Sequence, residues 1–367
     1  MAQTPRNIRV LFTTFADADN FNAQSLNERE IACRLDPARF AATLFYARRP
    51  DPRLANFSHI SLVQMPPRLG TLRMLSESLR GYDIVFKPTL DRFGESYFKL
   101  PARLRQRTRT IEWIEGPLTD NLRDAPPPVA KRFASFYHLM DCYVAVTEFV
   151  SETSHRDFSL HTSATIPPGV DLEVFSPPSE RDDSPLRVLF VGHLIERKGP
   201  QYVLEAASLF RDVEFVLVGA PRDSFYDTLI EKIKTLSLSN VQILEPLSHH
   251  RLAQLMTQSH IMLHPSLVEG FPKVVLEAAA AGLPALIFSH YQAPVVVDGV
   301  TGFQVQDSAS MFEKLGRLID DTALRHAMGE AAASHARSFA WENITRQWEA
   351  VFEKMVTQTP ILHARRA

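Results

Sequence analysis

The sequence has few cysteines and no long apolar run. Only two of its 367 residues are cysteine, Cys33 and Cys142, and they lie far apart within apolar stretches. This spacing argues against a disulfide framework or a cysteine-based metal site and indicates buried thiols in a reducing compartment. No stretch approaches the roughly 18 apolar residues that cross a bilayer. The N-terminal MAQTPRNIRVLFTTF lacks the composition of a signal peptide. We therefore expect a cytoplasmic location.

Neither sign of charge dominates, and several catalytic motifs are missing. The 40 Lys and Arg residues against 42 Asp and Glu residues give a formal net charge of −2, so no general attraction to nucleic acid is expected. The sequence contains no G-x-x-x-x-G-K-[ST], G-x-G-x-x-G or G-x-S-x-G motif, which argues against an ATPase, a dehydrogenase and an α/β-hydrolase. A hydrophobic fraction of 45% is typical of a globular protein with buried cores.

Short apolar runs alternate with segments of helical period along most of the chain. The predicted strands of the first half are IRVLFTTF, YDIVFKP, TIEWIEG and CYVAVT, with helices at Gln24–Leu35 and Pro127–Leu139. The alternation restarts at RVLFVG and continues through EFVLVGA, VQILEPL, IMLHPSL and PALIFS. Strands that are apolar on both faces and separated by helices predict an α/β fold with parallel sheets covered on both sides.

The two series of strands are separated by PPSERDDSP (Pro177–Pro185), which is rich in proline and charge and has no apolar period. This composition is typical of a linker, although a long surface loop within one domain is the alternative. We expect an N-terminal domain of residues 1–176, joined by an amphipathic C-terminal helix at about 341–357, and a second domain of residues 177–340. Ligands of open α/β sheets bind at the carboxyl ends of the strands, so we expect the functional residues there.

The segment HPSLVEGFPKVVLEAAAAGLPALIF (His264–Phe288) contains candidates for anion and sugar binding. A predicted strand ends in a turn with Glu269, and Pro272 then opens a helix, where its missing N–H needs no partner. The free N–H groups and the positive end of this helix favour an anion. Glu277, one turn further on, can accept two hydrogen bonds from a vicinal diol such as ribose.

A second segment, RVLFVGHLIERKGPQYVLEAASLF (Arg187–Phe210), has the order strand, glycine, basic loop, helix. Gly192 would let the backbone approach a pyrophosphate, and Lys198 offers an ammonium group to its oxygens. Arg197 either contacts the phosphates as well or is an exposed residue at the start of the helix.

These two segments resemble the signature motifs of family 4 retaining glycosyltransferases, also called glycosyl transferases group 1. The string EGFPKVVLEAAAAGLP is similar to the family's E-x7-E segment, and GHLIERKG to its phosphate-binding loop, G-R-L-x-x-x-K-G. ATIPPGVDLEVFSP and VVVDGVTGFQVQD resemble two further family segments. The resemblance covers about residues 141–356 and is strongest over 187–305. It implies the GT-B fold, in which two Rossmann-like, doubly wound parallel-sheet domains face a cleft.

The resemblance also implies an activity: transfer of a sugar from a nucleoside diphosphate donor to an acceptor hydroxyl, with retention at the anomeric carbon. It implies no metal and no cofactor beyond the nucleotide-sugar substrate, and the acceptor could be a saccharide, a lipid-linked saccharide or a small molecule. The implied catalytic residues are Glu269, Lys198 and Arg197. The implied donor-binding residues are Gly192, His193, Leu247, Gly270, Phe271, Pro272, Lys273, Val274 and Glu277.

The sequence departs from the family pattern at several points. His193 replaces the usual arginine of the phosphate loop, and imidazole cannot form a bidentate, permanently charged clamp. Either Arg197 supplies the missing charge or His193 hydrogen-bonds the phosphate. The loop FADADNFNAQS has no glycine, and Glu115 stands where many members carry histidine. The acceptor-side candidates are Asn20, Phe21, Asn22 and Glu115. These departures leave open an inactive GT-B module that binds a nucleotide or a partner. A second alternative keeps the fold but changes the reaction, to that of a GT-B epimerase or phosphorylase.

Two other patterns in the sequence each allow more than one interpretation. Asp17-Ala18-Asp19 has the D-x-D form of metal-dependent glycosyltransferases but directly follows a strand, so we interpret it as a solvated loop. The basic run Lys99–Arg109 is either a solvated face or a surface for anionic lipid at the inner face of a membrane.

Overall fold

The computed structural model describes residues 6–18, 22–86, 92–105, 108–119, 137–182 and 185–357. The chain divides into two compact units. Unit 1 contains Met1–Gly169 and Trp341–Ala367, and unit 2 contains Val170–Ala340.

Within the described residues, unit 1 is built on a seven-stranded parallel sheet in the order β3-β2-β1-β4-β5-β6-β7. Its strands are β1 (Ile8–Phe15), β2 (Phe40–Tyr46), β3 (Ile60–Gln64), β4 (Ile84–Phe86), β5 (Arg109–Ile114), β6 (Cys142–Ala145) and β7 (Ala164–Thr165). Its helices are α1 (Ala23–Arg34), α2 (Gly70–Ser78), α3 (Arg92–Lys99), α4 (Ala102–Arg105) and α5 (Glu148–Phe158), with a 3-10 turn at Pro52–Asn56.

Unit 2 contains a six-stranded parallel sheet in the order β10-β9-β8-β11-β12-β13. Its strands are β8 (Arg187–Val191), β9 (Glu214–Val218), β10 (Val241–Leu244), β11 (Ile261–His264), β12 (Ala285–Phe288) and β13 (Gly302–Val305). Its helices are α6 (Pro200–Leu209), α7 (Phe225–Thr235), α8 (His249–Thr257), α9 (Lys273–Ala280), α10 (Ser308–Asp320) and α11 (Thr322–Ala336). Short 3-10 turns lie at Glu196–Lys198, Ser289–Tyr291 and Arg337–Phe339.

The strand order of unit 2 reverses beside its first strand, which is the doubly wound Rossmann arrangement. β8 pairs with β9 on one side and with β11 on the other. Connections that leave neighbouring strands in opposite directions open a crevice at the carboxyl ends of those strands. In unit 2 this crevice lies beyond Val191 and His264, the last residues of β8 and β11, and each motif segment continues from one of these strand ends into a loop.

The last helix, α12 (Trp341–Thr357), belongs to unit 1 and completes its core. The ring of Trp348 lies 4.8 Å from that of Phe86 and 5.2 Å from that of Trp113, measured between centroids. Arg39 bonds Glu353 of the same helix at 2.6 Å, and Glu349 accepts the backbone N–H of Asp36 at 2.7 Å. The helix therefore contributes both apolar packing and charge pairing to unit 1.

The proline-rich segment expected to link the domains packs on unit 2. Arg181 donates from Nη2 to the carbonyl of Ala281 at 2.7 Å, and its Nη1 also bonds the carbonyl of Ser259. Val170 N–H donates to the carbonyl of Phe339 at 2.9 Å, which ties the first residue of unit 2 to its end. The division between the units consequently falls before Val170, ahead of the predicted linker.

The predicted α/β class with two doubly wound parallel sheets is confirmed. The buried strands were identified from their apolar runs, and the helix predicted at Gln24–Leu35 forms at Ala23–Arg34. The helix predicted at Pro127–Leu139 falls almost entirely outside the described residues. Cys33 and Cys142 are buried free thiols, and burial raises the pKa of Cys33 to about 12.

The interpretation of Asp17-Ala18-Asp19 as a solvated loop is wrong for Asp17, while Asp19 lies outside the described residues. The side chain of Asp17 is buried, and its carboxylate accepts hydrogen bonds from the backbone N–H groups of Ala47, Arg48 and Arg49 at 2.8, 2.6 and 3.1 Å. Burial opposes ionisation of this carboxyl, but the three bonds outweigh it and lower its pKa. Asp17 therefore stabilises the turn after β2, and its carboxylate is neither solvated nor a metal ligand.

Candidate functional site

Glu269 lies at the crevice of the unit 2 sheet with two basic side chains on one of its oxygens. Its Oε1 is 2.5 Å from Nζ of Lys198 and 3.0 Å from Nε2 of His264. Lys198 comes from the loop after β8, and His264 is the last residue of β11. Side chains from both strand ends that flank the crevice therefore contact this carboxylate. The side chains of Lys198 and Glu269 are 18% and 11% exposed, and that of His264 only 2%.

The surroundings of Glu269 keep it ionised. Burial favours the neutral acid, but Lys198 and His264 outweigh it, and the pKa of the carboxyl lies far below its usual value. Tyr291, in the 3-10 turn after β12, is also close enough to interact electrostatically with Glu269, and burial raises the pKa of its phenol. Within the described part of the chain, the Tyr291 hydroxyl and Nδ1 of His264 are buried without a hydrogen-bond partner. Buried polar atoms of this kind are rare in folded proteins and fit a site that receives a polar ligand.

Arg197 holds the two loops of the site together. Its Nη1 donates to the carbonyl of Val268 at 3.0 Å, and its own carbonyl accepts from Leu267 N–H at 2.9 Å. Arg197 is therefore neither a freely exposed residue nor a group aimed solely at a ligand. Gly199 follows in the left-handed region at φ +78°, where an added Cβ would lie 2.0 Å from the carbonyl oxygen of Pro265. The loops that carry Lys198 and Glu269 are thus packed backbone to backbone.

Helix α9 begins at Lys273, one residue later than the sequence suggested, and Pro272 precedes it. Val275 N–H donates to the Pro272 carbonyl at 2.9 Å, so the amide of Val275 is engaged within the protein. Gly270 and Pro272 are buried, and the ring of Phe271 packs 5.9 Å from that of Phe339.

Glu277 is buried on α9, with its side chain only 4% exposed. Its Oε1 is 3.9 Å from Nε2 of His249, the first residue of α8. Leu247 stands two residues earlier, in the loop before α8, so the segment predicted to read the base leads directly to the residue that contacts Glu277. The His249 ring also packs on Phe175 at 5.8 Å. The structure thus adds His249 to this part of the site.

Ionisation of Glu277 is expected to make the stability of the unliganded protein depend on pH. Burial raises its pKa from the ordinary 4.5 to about 7, against the opposing effect of Lys273. The neutral acid contributes its full share to the free energy of unfolding at pH values below the unfolded pKa of 4.5. This contribution, at most about 3 kcal/mol, is lost as the pH rises through 7. We expect Glu277→Gln to raise Tm relative to the wild type at pH 8 and to change it little at pH 5. Equal Tm values for the variant and the wild type at pH 8, measured by calorimetry, would contradict the idea that the buried carboxylate of Glu277 is destabilising when ionised.

His193 lies beside an arginine that the sequence did not identify. Arg222, from the loop after β9, has its Nε 3.4 Å from Nδ1 of His193. Partial burial and the nearby Arg222, Lys198 and Arg197 lower the pKa of His193, so the imidazole is neutral at neutral pH. Gly192 donates its N–H to Val218, which anchors the turn between these groups.

The acceptor-side candidates lie in unit 1. Asn22 caps α1, since its Oδ1 accepts from Gln24 N–H at 2.9 Å. Glu115 follows β5, and its Oε1 accepts from Nδ2 of Asn27 at 3.1 Å. Asn20 and Phe21 lie outside the described residues.

The described part of the basic run Lys99–Arg109, which leaves out residues 106 and 107, does not form one uniform cationic surface. Arg105 is 8% exposed and donates to the carbonyls of Leu100 and Phe98, both at 3.4 Å, while Arg103 and Leu104 are exposed. Within the described residues, no helix is both long and apolar enough to cross a membrane. The same residues contain no cluster of three or more His, Cys, Asp or Glu side chains arranged for a metal ion.

Comparison with known proteins supports the motif assignment. Residues 173–335 match the family described as Glycosyl transferases group 1. The D-inositol 3-phosphate glycosyltransferase of Corynebacterium aurimucosum is 28% identical over 274 residues, which cover 67% of this chain and 65% of that protein. The protein of the same name from Mycobacterium bovis is 34% identical over 207 residues, 52% of this chain and 43% of that protein. These matches span less than two thirds of the relatives' length.

Solved structures share the fold over nearly the whole chain. Sucrose-phosphate synthase from Thermosynechococcus elongatus superposes with a TM-score of 0.78 and 18% identity, over 95% of this chain and 99% of that one. Anabaena HepE in complex with UDP and glucose gives a TM-score of 0.71 and 18% identity, over 95% and 100% of the two chains. The GT-B fold and the resemblance to group 1 glycosyltransferases are confirmed.

Proposed function

We propose that this chain, whose residues 173–335 match the family Glycosyl transferases group 1, transfers a sugar from a nucleoside diphosphate donor to an acceptor hydroxyl with retention of the anomeric configuration. The observation that carries the proposal is the contact between Lys198 and Glu269 at the crevice of a Rossmann-like sheet, next to the start of α9. Crevices of this kind are where such sheets bind nucleotides. The solved structure of HepE with UDP and glucose has the same fold.

In the proposed mechanism, Lys198 stabilises the diphosphate as it leaves. Negative charge grows on the bridging oxygen while the bond to the anomeric carbon breaks, and a preorganised cation lowers the energy of that state. Without ligand, the ammonium is paired with Glu269 and therefore already oriented. The amides at the start of α9, including that of Val274, add the positive end of a helix.

Glu269 binds hydroxyls of the transferred sugar in this mechanism. A carboxylate with a strongly lowered pKa accepts hydrogen bonds but donates none, and its second oxygen can accept a sugar O–H. His264 is a positioning residue, because its bond to Oε1 fixes the orientation of the carboxylate. Arg197 is a second positioning residue, since it holds the Val268 carbonyl directly before Glu269. We assign no side-chain nucleophile.

Glu277 is proposed to hold the ribose and the Leu247 loop to contact the base. The buried carboxyl of Glu277 has room for a new partner, because its contact with His249 is 3.9 Å long. A vicinal diol that donates two hydrogen bonds stabilises the ionised form and offsets the cost of burial. We place the acceptor at unit 1, near Glu115, without assigning its chemical class.

Donor binding can be tested by thermal shift with UDP, GDP and ADP and their sugar conjugates. A ligand at 100 times its Kd stabilises the native state by about 2.7 kcal/mol, which raises Tm by several degrees. We expect one base to give a clear shift and Glu277→Ala to reduce it. The same small shift with every nucleotide, unchanged in the variant, would contradict a built donor site.

The cations at the site also support transfer without a divalent metal. Lys198 and the helix terminus place positive charge where the diphosphate charge develops. We therefore expect the wild-type rate to be the same in EDTA and in Mg²⁺. An EDTA-sensitive rate that Mg²⁺ restores would refute this part of the proposal. The anomeric configuration of the first product formed, read by proton NMR, tests retention.

A further inference from the structure

The loop after β8 provides one cation fewer for the proposed phosphate site than the family motif does. His193 stands at the position that carries arginine in the family motif, and its imidazole is neutral. Lys198, oriented by Glu269, supplies one cation, and Arg197 is engaged by the Val268 carbonyl. A diphosphate bound without a metal needs more than one positive partner, because its charges repel one another.

Arg222 is positioned to supply this charge from a neighbouring strand. Its Nε lies 3.4 Å from Nδ1 of His193, and the residue is exposed. In the described part of the chain, no acceptor is found within hydrogen-bonding distance of Nη1 or Nη2 of Arg222. The guanidinium therefore has two free nitrogen donors in a planar fork, which is the geometry that binds phosphate oxygens in pairs.

The backbone holds these two side chains next to each other. Leu194 N–H donates to the Ala220 carbonyl at 3.1 Å, and Leu194 forms a parallel bridge with Pro221. At Gly219 an added Cβ would lie 1.8 Å from the Gly192 carbonyl oxygen, so the two loops pack without an intervening side chain. His193 and Arg222 thus project from a rigid pair of loops.

The hydrogen bond also sets the tautomer of His193. An arginine always donates, so Nδ1 must accept and the ring proton must lie on Nε2. The Nε2–H group is then a donor for a phosphate oxygen.

We propose that Arg222 and His193 bind the diphosphate of the donor together, with Arg222 replacing the charge of the arginine absent at position 193. The inference rests on the proposed function and names a residue of the same site. The positive charge comes from the loop after β9, which pairs with β8, the strand before His193. The neutral imidazole orients the guanidinium and donates one further hydrogen bond.

Calorimetric titration tests the proposal, with UDP, GDP and ADP as probes and the corresponding nucleosides as references. For the diphosphate that binds best, we expect Arg222→Ala to weaken binding about 10- to 100-fold, the range for one charge-assisted contact, and to leave binding of the nucleoside unchanged. Arg317→Ala is the matched control, because it removes an exposed arginine of the same unit on α10. His193→Arg in the Arg222→Ala background should restore diphosphate affinity to within a few-fold of the wild type.

The outcomes separate this inference from the proposed function. Wild-type preference for a diphosphate over its nucleoside, with Arg222→Ala behaving like Arg317→Ala, overturns the role of Arg222 and leaves the proposed function standing. Failure of His193→Arg to restore affinity overturns the replacement of one arginine by the other. Wild-type protein that binds diphosphate no better than nucleoside overturns the proposed function and this inference together.

Discussion

Replacement of Lys198 by alanine is expected to lower kcat/KM for sugar transfer by about 10²- to 10³-fold. This is the usual cost of removing one preorganised group that stabilises charge in a transition state. Lys198 is oriented before the donor binds, because its Nζ is held by Glu269 at 2.5 Å in a largely buried pair. Steady-state kinetics on the preferred donor would measure the effect, and a rate within threefold of the wild type would refute the assignment.

The same variant is expected to be less stable, and a second substitution separates stability from catalysis. Loss of Lys198 leaves the Glu269 carboxylate with His264 alone, at a cost of about 2 kcal/mol, less than the 3–5 kcal/mol typical of a fully buried pair because Lys198 keeps 18% exposure. Because the pKa of Glu269 is lowered by folding, this contribution is present above pH 4.5 and is lost on acidification. In Lys198→Ala with Glu269→Gln, Tm should recover while transfer stays lost. Recovery of both would mean that the pair serves stability only.

Substitution of Gly199 by alanine is expected to destabilise unit 2 by several kcal/mol and to abolish transfer. An alanine at φ +78° costs about 1–2 kcal/mol by itself. Its Cβ would in addition lie 2.0 Å from the carbonyl oxygen of Pro265, so the loop that carries Lys198 must move away from the strand end that precedes Glu269. Backbone atoms on both sides cannot rotate away as a side chain could. The change in Tm is measured by calorimetry.

Gly299 provides the matched control for this substitution. It lies in the same unit at φ +72°, and an added Cβ there meets no atom within 4 Å. Gly299→Ala should therefore show only the conformational cost and retain transfer. If the two alanine variants have the same Tm, the close contact between Gly199 and Pro265 contributes nothing to the site.

The sequence predicted most of the strands of both sheets but missed several, among them β2, which is buried inside its sheet, and β3 at the sheet edge. β8, β9 and β11 are continuous apolar runs with turn signals at their ends, and all three were identified. β2 and β3 were not. β3 is the edge strand of its sheet and has only half-buried or exposed residues, so its composition carries little signal.

The candidate site could be located from its motifs, but not its internal contacts. The resemblance of two segments to the family motifs predicts Glu269 and Lys198, whereas the bond of Arg197 to the Val268 carbonyl depends on how two loops meet. Arg222 lies in the loop that begins with Gly219 at the carboxyl end of β9, where parallel sheets bind their ligands, so its candidacy could have been predicted from the sequence. The short distance to His193 could not have been, because it depends on the pairing of β8 with β9.

The placement of α12 sets an order for folding during synthesis. Unit 2 is one continuous stretch, Val170–Ala340, and all of its strands have been made before the last helix is translated. Most of unit 1 precedes unit 2 in the chain, yet Trp113 and Phe86 lack their contacts with Trp348 until the residues that follow unit 2 have been translated. Domains normally finish in the order in which they are made. Here unit 2 is able to complete its core first. The rings of Phe86 and Trp113 in unit 1 remain uncovered until α12 packs on them.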